Sequence, residues 1–281
     1  MKNLTIKSMN RADLDFMIDQ AANEGWNPGI FDADTFYKTD PNGYFLAEIN
    51  GKPVGCISLV KYDNTFAFLG FFIVIESMRG KGIGMKLWQQ AINYAGNCNI
   101  GLDGVVAQQE NYKKSSFKFA YNNSRYEFIK QTEIKMPDAV KNLRNFGFAE
   151  ILEYDKICFP TKRKTFLKNW LKQTDSLSFG ILQNNKFSGF IVIRPCRVGY
   201  KIGSLFADDF ATAEKLFSAA VSQIDIGQKV YLDIPEINPE AVKFVQKNKM
   251  EKVFETARMY TGYFPKIDID KIFGVTTFEL G

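Results

Sequence analysis

The sequence predicts an α/β protein built twice from one unit, each unit a mixed sheet flanked by helices. Three observations carry this expectation. Apolar, strand-like runs alternate with amphipathic helical patterns along the chain. Short motifs of the first half recur in the same order in the second. The length, 281 residues with 46% hydrophobic, suits about two domains of ordinary size.

The elements follow in order. Leu14, Met17, Ile18 and Ala21 share one face of a helix over residues 11–22. Gly25-Trp26-Asn27-Pro28-Gly29 stops that helix. Residues 44–49 read as a strand, Asn50-Gly51 as a hairpin turn, and residues 53–62 as the returning strand. Residues 66–75 form a long apolar strand. A glycine-rich segment leads into a helix at 85–92. A strand at 100–106, a helix at 111–120 and a closing strand at 126–129 complete the unit.

The repeat is visible at four places. Asn50-Gly51-Lys52-Pro53-Val54-Gly55 resembles Asn184-Asn185-Lys186-Phe187-Ser188-Gly189, and Leu69-Gly70 resembles Ile202-Gly203. Leu87-Trp88 matches Leu216-Phe217, and Gly101-Leu102-Asp103 matches Tyr231-Leu232-Asp233. The near-constant offset indicates duplication, with domains expected at 1–132 and 138–281. The offset narrows between the fourth strand and the next helix. There the first half has a glycine loop and the second has Asp208-Asp209-Phe210-Ala211-Thr212. Asp103 and Asp233 fall at equivalent positions, so both read as structural.

Composition removes several classes of chemistry. With no histidine, no Ser-His-Asp or Cys-His nucleophile and no His-ligated zinc site exists, and no metal is expected. The net charge of +5 is spread over both halves, so no nucleic-acid partner is expected. Lys162-Arg163-Lys164, the one tight cationic cluster, reads as a solvated helix face. Cys56, Cys98, Cys158 and Cys196 form no C-x-x-C pair and read as reduced thiols of a cytoplasmic protein. The N-terminal residues lack the apolar core of a signal peptide, and the longest apolar run, ten residues at 66–75, is too short to span a bilayer. No membrane partner is therefore expected; the oligomeric state stays open.

The chemistry points to Arg79-Gly80-Lys81-Gly82-Ile83-Gly84, between an apolar strand and a helix. A loop entering a helix offers free backbone N–H groups and the positive end of the helix dipole, a place for phosphate. The Walker A pattern is absent, and G-x-G-x-G is not the dinucleotide fingerprint.

With the preceding Val74-Ile75-Glu76-Ser77-Met78, this segment resembles motif A of the GNAT (GCN5-related N-acetyltransferase) superfamily. Arg79, Gly82 and Gly84 fill its Arg/Gln-x-x-Gly-x-Gly/Ala positions. The resemblance implies that the amides of Arg79, Gly80, Lys81, Gly82, Ile83 and Gly84 bind the pyrophosphate of acetyl-CoA. It also implies that Ile73 and Val74 pair with its pantetheine arm. The family's Tyr-x-x-x-Gly-Phe helix resembles Tyr112-Lys113-Lys114-Ser115-Ser116-Phe117, with serine for glycine. Tyr112 would then protonate the departing thiolate. Glu24, Trp26 and Asn27 lie where the family builds its acceptor site, and Glu24, Glu110 or water remain open as the base. In the second half the tyrosine, glycine and phenylalanine positions fall on Val245, Lys249 and Met250. That half resembles the C-terminal domain of tandem GNAT proteins of the holothin-acyltransferase kind, through Arg194-Pro195, Gly199-Tyr200-Lys201-Ile202-Gly203 and Arg258-Met259-Tyr260-Thr261-Gly262. The implied function is transfer of an acetyl group from acetyl-CoA to the primary amine of a small molecule or peptide. The alternative is a catalytically silent acyl-CoA sensor or interaction protein.

Overall fold

A computed structural model describes residues 3–281; Met1 and Lys2, the start of the first expected domain, lie outside the described residues. The first half contains β1 (Leu4–Ser8), α1 (Asp13–Asn23), α2 (Asp32–Thr39), β2 (Tyr44–Ile49), β3 (Lys52–Lys61), β4 (Phe66–Val74), α3 (Ile83–Ala95), β5 (Asn99–Val105), α4 (Gln109–Lys114) and β6 (Lys118–Ile129). The second contains β7 (Val140–Asn142), α5 (Phe148–Cys158), α6 (Lys164–Trp170), β8 (Leu177–Gln183), β9 (Lys186–Pro195), β10 (Tyr200–Ala207), α7 (Phe210–Ser222), β11 (Lys229–Pro235), α8 (Pro239–Lys247), β12 (Glu251–Tyr260) and β13 (Ile272–Gly274). No helix among the described residues is long and apolar enough to cross a membrane.

The repeat is physical. Both hairpins turn through left-handed residues, Asn50 and Gly51 in one, Asn184 and Asn185 in the other, as a two-residue turn between twisted strands requires. Both fourth strands bulge, Phe71–Phe72 facing Ile57 and Gly203–Ser204 facing Val192. At each bulge one residue is left-handed, Phe71 at φ 48° and Ser204 at φ 81°.

Two elements differ from the sequence expectation. The helix expected at 111–120 ends at Lys114. There Ser116 turns left-handed, the Phe117 N–H donates to Tyr112 O, and the Ser116 N–H donates to Lys113 O. This is a Schellman cap. The strand expected at 126–129 begins at Lys118. Its first part buries Asn123, Ser124 and Arg125, so it carries no apolar alternation to read.

All the strands join one sheet, ordered β1-β2-β3-β4-β5-β12-β6-β11-β10-β9-β8-β7, with β13 beside β10. The closing strands are exchanged. β12, from the second half, pairs with β5, and β6, from the first, pairs with β11. The expected boundary after residue 132 thus divides the chain but not the sheet. Each exchanged strand brings an arginine to the aspartate of the strand it joins. Arg258 clamps Asp103 at 2.7 and 2.6 Å, and Arg125 clamps Asp233 at 2.7 and 2.8 Å. Removing one partner of such a buried pair costs about 3–5 kcal/mol, because the other charge is stranded. The largest apolar cluster also crosses the halves, from Leu14 and Met17 through Phe36 to Trp170 and Phe278. Arg163 is not on a solvated face as expected. It is buried, held by Asp155 at 2.9 and 2.8 Å and lying over the rings of Phe159 and Phe166.

Candidate active site

β4 and β5 run parallel and pair from Phe66↔Asn99 to Leu69↔Leu102, then diverge. A cleft of about 500 Å³ opens between their ends. Beyond Leu69 the β4 edge facing β5 has no ladder partner, so its backbone groups, apart from Val74 O, which accepts from Arg79, are open to a ligand. Ile73 and Val74 line the cleft.

The glycine loop closes one end. Gly80 and Gly82 have φ of 74° and 77°, which any side chain would strain. A Cβ at either position would touch nothing, so the space above the backbone is open. Gly82 is the N-cap of α3, with no side-chain cap and no acid in the first turn. The first N–H groups of this 13-residue helix and its positive dipole end therefore face the cleft without competition. Gly80, Gly82, Ile83 and Gly84 all line it.

The loop's cations brace it. Arg79 donates from Nε to Val74 O at 2.9 Å, and its Nη2 pairs with the Glu24 carboxylate. Lys81 does not line the cleft; its Nζ turns to Ser77 O at 2.9 Å. The backbone, more than the side-chain charge, is what the loop offers an anion.

Tyr112 lines the same cleft from α4, only 8% exposed. Its ring lies so close to β5 that a Cβ on Gly104 would come within 2.2 Å of it. Trp88 stacks on its other side at 5.9 Å, and Phe117 meets its edge. Burial pushes the phenol up to about 12, so it stays protonated at neutral pH.

Of the expected acceptor residues, Glu24 and Trp26 line the cleft. Asn27 does not. Its amide is spent on the second half, donating to Val198 O at 3.0 Å and Cys196 Sγ at 3.1 Å while accepting from the Val198 N–H. Glu110 also lies outside the cleft, paired with Lys113 and 78% exposed. Sequence reasoning missed Phe254 and Thr256 of β12, and Phe278 and Glu279 near the end of the described residues. The one sequence signal for Glu279 is an acid set between Phe278 and Leu280.

The second half has no such opening. β10 and β11 pair only to Ile202↔Leu232, but β13 enters the gap beside β10. Ser204 N–H donates to Val275 O and Val275 N–H to Asp233 O at 2.8 Å, closing both edges. The N-terminus of α7 is also filled: the Asp209 side chain accepts from the Thr212 N–H at 2.8 Å. Burial alone would raise Asp209, but its bonds with Thr212 dominate and hold it below the usual carboxylate range.

Residues 11–117 match the acetyltransferase (GNAT) family, and residues 151–274 match an acetyltransferase (GNAT) domain. The chain is similar to holothin acyltransferase of Pseudoalteromonas sp., with 31% identity over 99% of this chain and 94% of that protein. In fold it resembles a protein from Pyrococcus horikoshii assigned as an acetyltransferase, with 23% identity, a TM-score of 0.85, and coverage of 100% of this chain and 97% of that one. It also resembles a tandem GNAT protein from the clavulanic acid biosynthesis pathway, with 10% identity, a TM-score of 0.67, and coverage of 93% and 100%.

Proposed function

The chain belongs to the GNAT acyltransferases and carries two domains of that family, and from this premise we propose that its first unit moves an acetyl group from acetyl-CoA to the primary amine of a small molecule or peptide. One contrast supports the reading above all. The first unit keeps its strand splay and helix N-terminus open, while the second fills both with its own chain. The second unit is then a scaffold that completes the first unit's sheet and lines part of its acceptor site.

Acetyl-CoA supplies the acyl group already activated as a thioester. The N–H groups of Gly82, Ile83 and Gly84, with the α3 dipole, suit its pyrophosphate. The free β4 edge at Ile73 and Val74 suits its amide-bearing arm, and a β4 amide near Val74 would stabilise the carbonyl oxygen as it gains charge. Tyr112 holds a proton beside the cleft and gives it to the departing sulfur. The test is thiol release from acetyl-CoA across amino acids, polyamines, amino sugars, arylalkylamines and peptides, with mass spectrometry of the product. Amine-dependent release with a product heavier by one acetyl group is expected. Acetyl-CoA binding without release for any amine would leave a sensor.

A further inference from the structure

Resting on that reading, we propose that Glu279 is the residue that receives the acceptor's amine and takes its proton, and that the acceptor carries this amine on a flat, apolar body.

Glu279 is fixed at the root of the splay. Its backbone oxygen packs against Gly70, where a Cβ would come within 2.2 Å of it. Gly70 directly follows the last β4–β5 pair, Leu69↔Leu102, and precedes the bulge. The segment is held there from both ends. Arg163 donates to Thr276 Oγ1 at 2.7 Å and to Gly281 O at 3.2 Å, and Tyr62 donates to Leu280 O at 2.8 Å.

Three carboxylates line the cleft: Glu24, Asp103 and Glu279. Glu24 is engaged by Arg79. Asp103 accepts two bonds from Arg258 and a third from Asn123. Glu279, 4% exposed, makes no side-chain hydrogen bond or ion pair among the described residues. The other deeply buried acids each have an arginine: Asp32 has Arg194, Asp155 has Arg163 and Asp233 has Arg125. A buried carboxylate without a partner is costly, and this one faces a cleft from which a partner can arrive. Three cations act on it from the packed elements around it: Arg125 on β6, Arg194 on β9 and Lys201 on β10. Arg125 is fully bonded, by Asp233 and Trp26 O, whereas Arg194 gives Nε and Nη2 to Asp32 and keeps a buried Nη1 without a hydrogen-bond partner. Lys201 bonds to Trp26 O at 3.1 Å. The combined positive charge of the three repels an acceptor with several charges.

The rest of the acceptor end is aromatic, formed by Trp26, Phe71, Phe254 and Phe278. Such a wall favours a single ammonium on a flat body, through ring contact and cation–π attraction. In the transfer the amine nitrogen bonds to the thioester carbon and the carbon–sulfur bond breaks. The bound ammonium first gives one proton to Glu279 to become the free amine, the second proton that nitrogen loses on forming the amide leaves to solvent, and the proton gained by sulfur comes from Tyr112. Both groups then reset through solvent.

The test uses the full chain, with 2-phenylethylamine as the probe and spermidine as the polar comparison. Wild type is expected to bind and acetylate 2-phenylethylamine in preference to spermidine. Glu279→Gln is expected to weaken 2-phenylethylamine binding to the free protein at least tenfold by calorimetry. It is expected to lower kcat/KM for it about 100-fold or more, the usual scale for a lost proton acceptor. Acetyl-CoA affinity should be retained and Tm should change little, since Gln keeps the side chain's size and breaks no hydrogen bond of Glu279. Formate should restore part of the rate of Glu279→Ala, which a packing role would not produce. A Glu279→Gln protein that binds and acetylates the probe like wild type overturns the role of Glu279 and leaves the acyltransferase reading intact. Acetylation of spermidine but not 2-phenylethylamine overturns the aromatic class. Acetyl-CoA binding with no thiol release for any amine removes the transferase reading and this inference with it.

Discussion

Tyr112 owes its position to residues with no chemistry of their own. Gly104 leaves room for its ring, Trp88 stacks on it, and the Schellman cap closed by Phe117 ends the helix just beyond it. Because these contacts involve the ring, Tyr112→Phe is expected to keep the fold and to bind acetyl-CoA within about twofold of wild type, while turnover falls about 100-fold or more. Equal turnover would mean that the ring only packs. The phenol's upward shift fixes a sign for pH dependence. In the proposed role of proton donor the protonated form is the competent one, so its contribution is expected to persist through pH 10 and to be lost as pH rises through about 12. Its contribution to stability behaves likewise: full below the unfolded value near 10 and lost toward about 12. The motif made Tyr112 legible in the sequence. Glu279 was not, because nothing local shows that its backbone crosses Gly70 some two hundred residues away.

The elements repeat more faithfully than the residues do. α8 ends as α4 does: Met250 N–H donates to Val245 O, Lys249 N–H donates to Gln246 O, and Lys249 has φ 51°. Serine in place of glycine therefore leaves the turn unchanged and only strains it. Ser116→Gly is expected to stabilise the protein by about 1 kcal/mol, the left-handed penalty relieved, with no change in activity. A urea midpoint that stays put would contradict this. The hairpin turns and helix faces were legible because local residues dictate them. The full length of β6 was not, since its buried polar residues find partners on other strands; Arg125, for instance, donates to Asp233. The Arg163 cluster misled for a related reason, because its aspartate partner lies outside the basic run.

At the scale of the whole molecule, exchange of β6 and β12 makes the two halves interdependent. Residues 1–132 alone would leave β5 without its neighbour, Asp103 without Arg258, and β6 without β11. That fragment is expected to be unfolded or aggregated, and co-expression with residues 138–281 to restore a soluble pair. Cooperative unfolding of residues 1–132 by themselves would contradict the exchange. The duplication was legible from matching motifs, whereas strand pairings more than a hundred residues apart leave no local trace. On the proposed function the duplication creates two potential cofactor sites, of which the chain itself fills one. The remaining site alone is expected to bind. Calorimetric titration with acetyl-CoA should give one site per chain, and Gly82→Val, which forces a side chain into a left-handed position, should abolish the binding. Two sites per chain, or unchanged affinity in Gly82→Val, would contradict it.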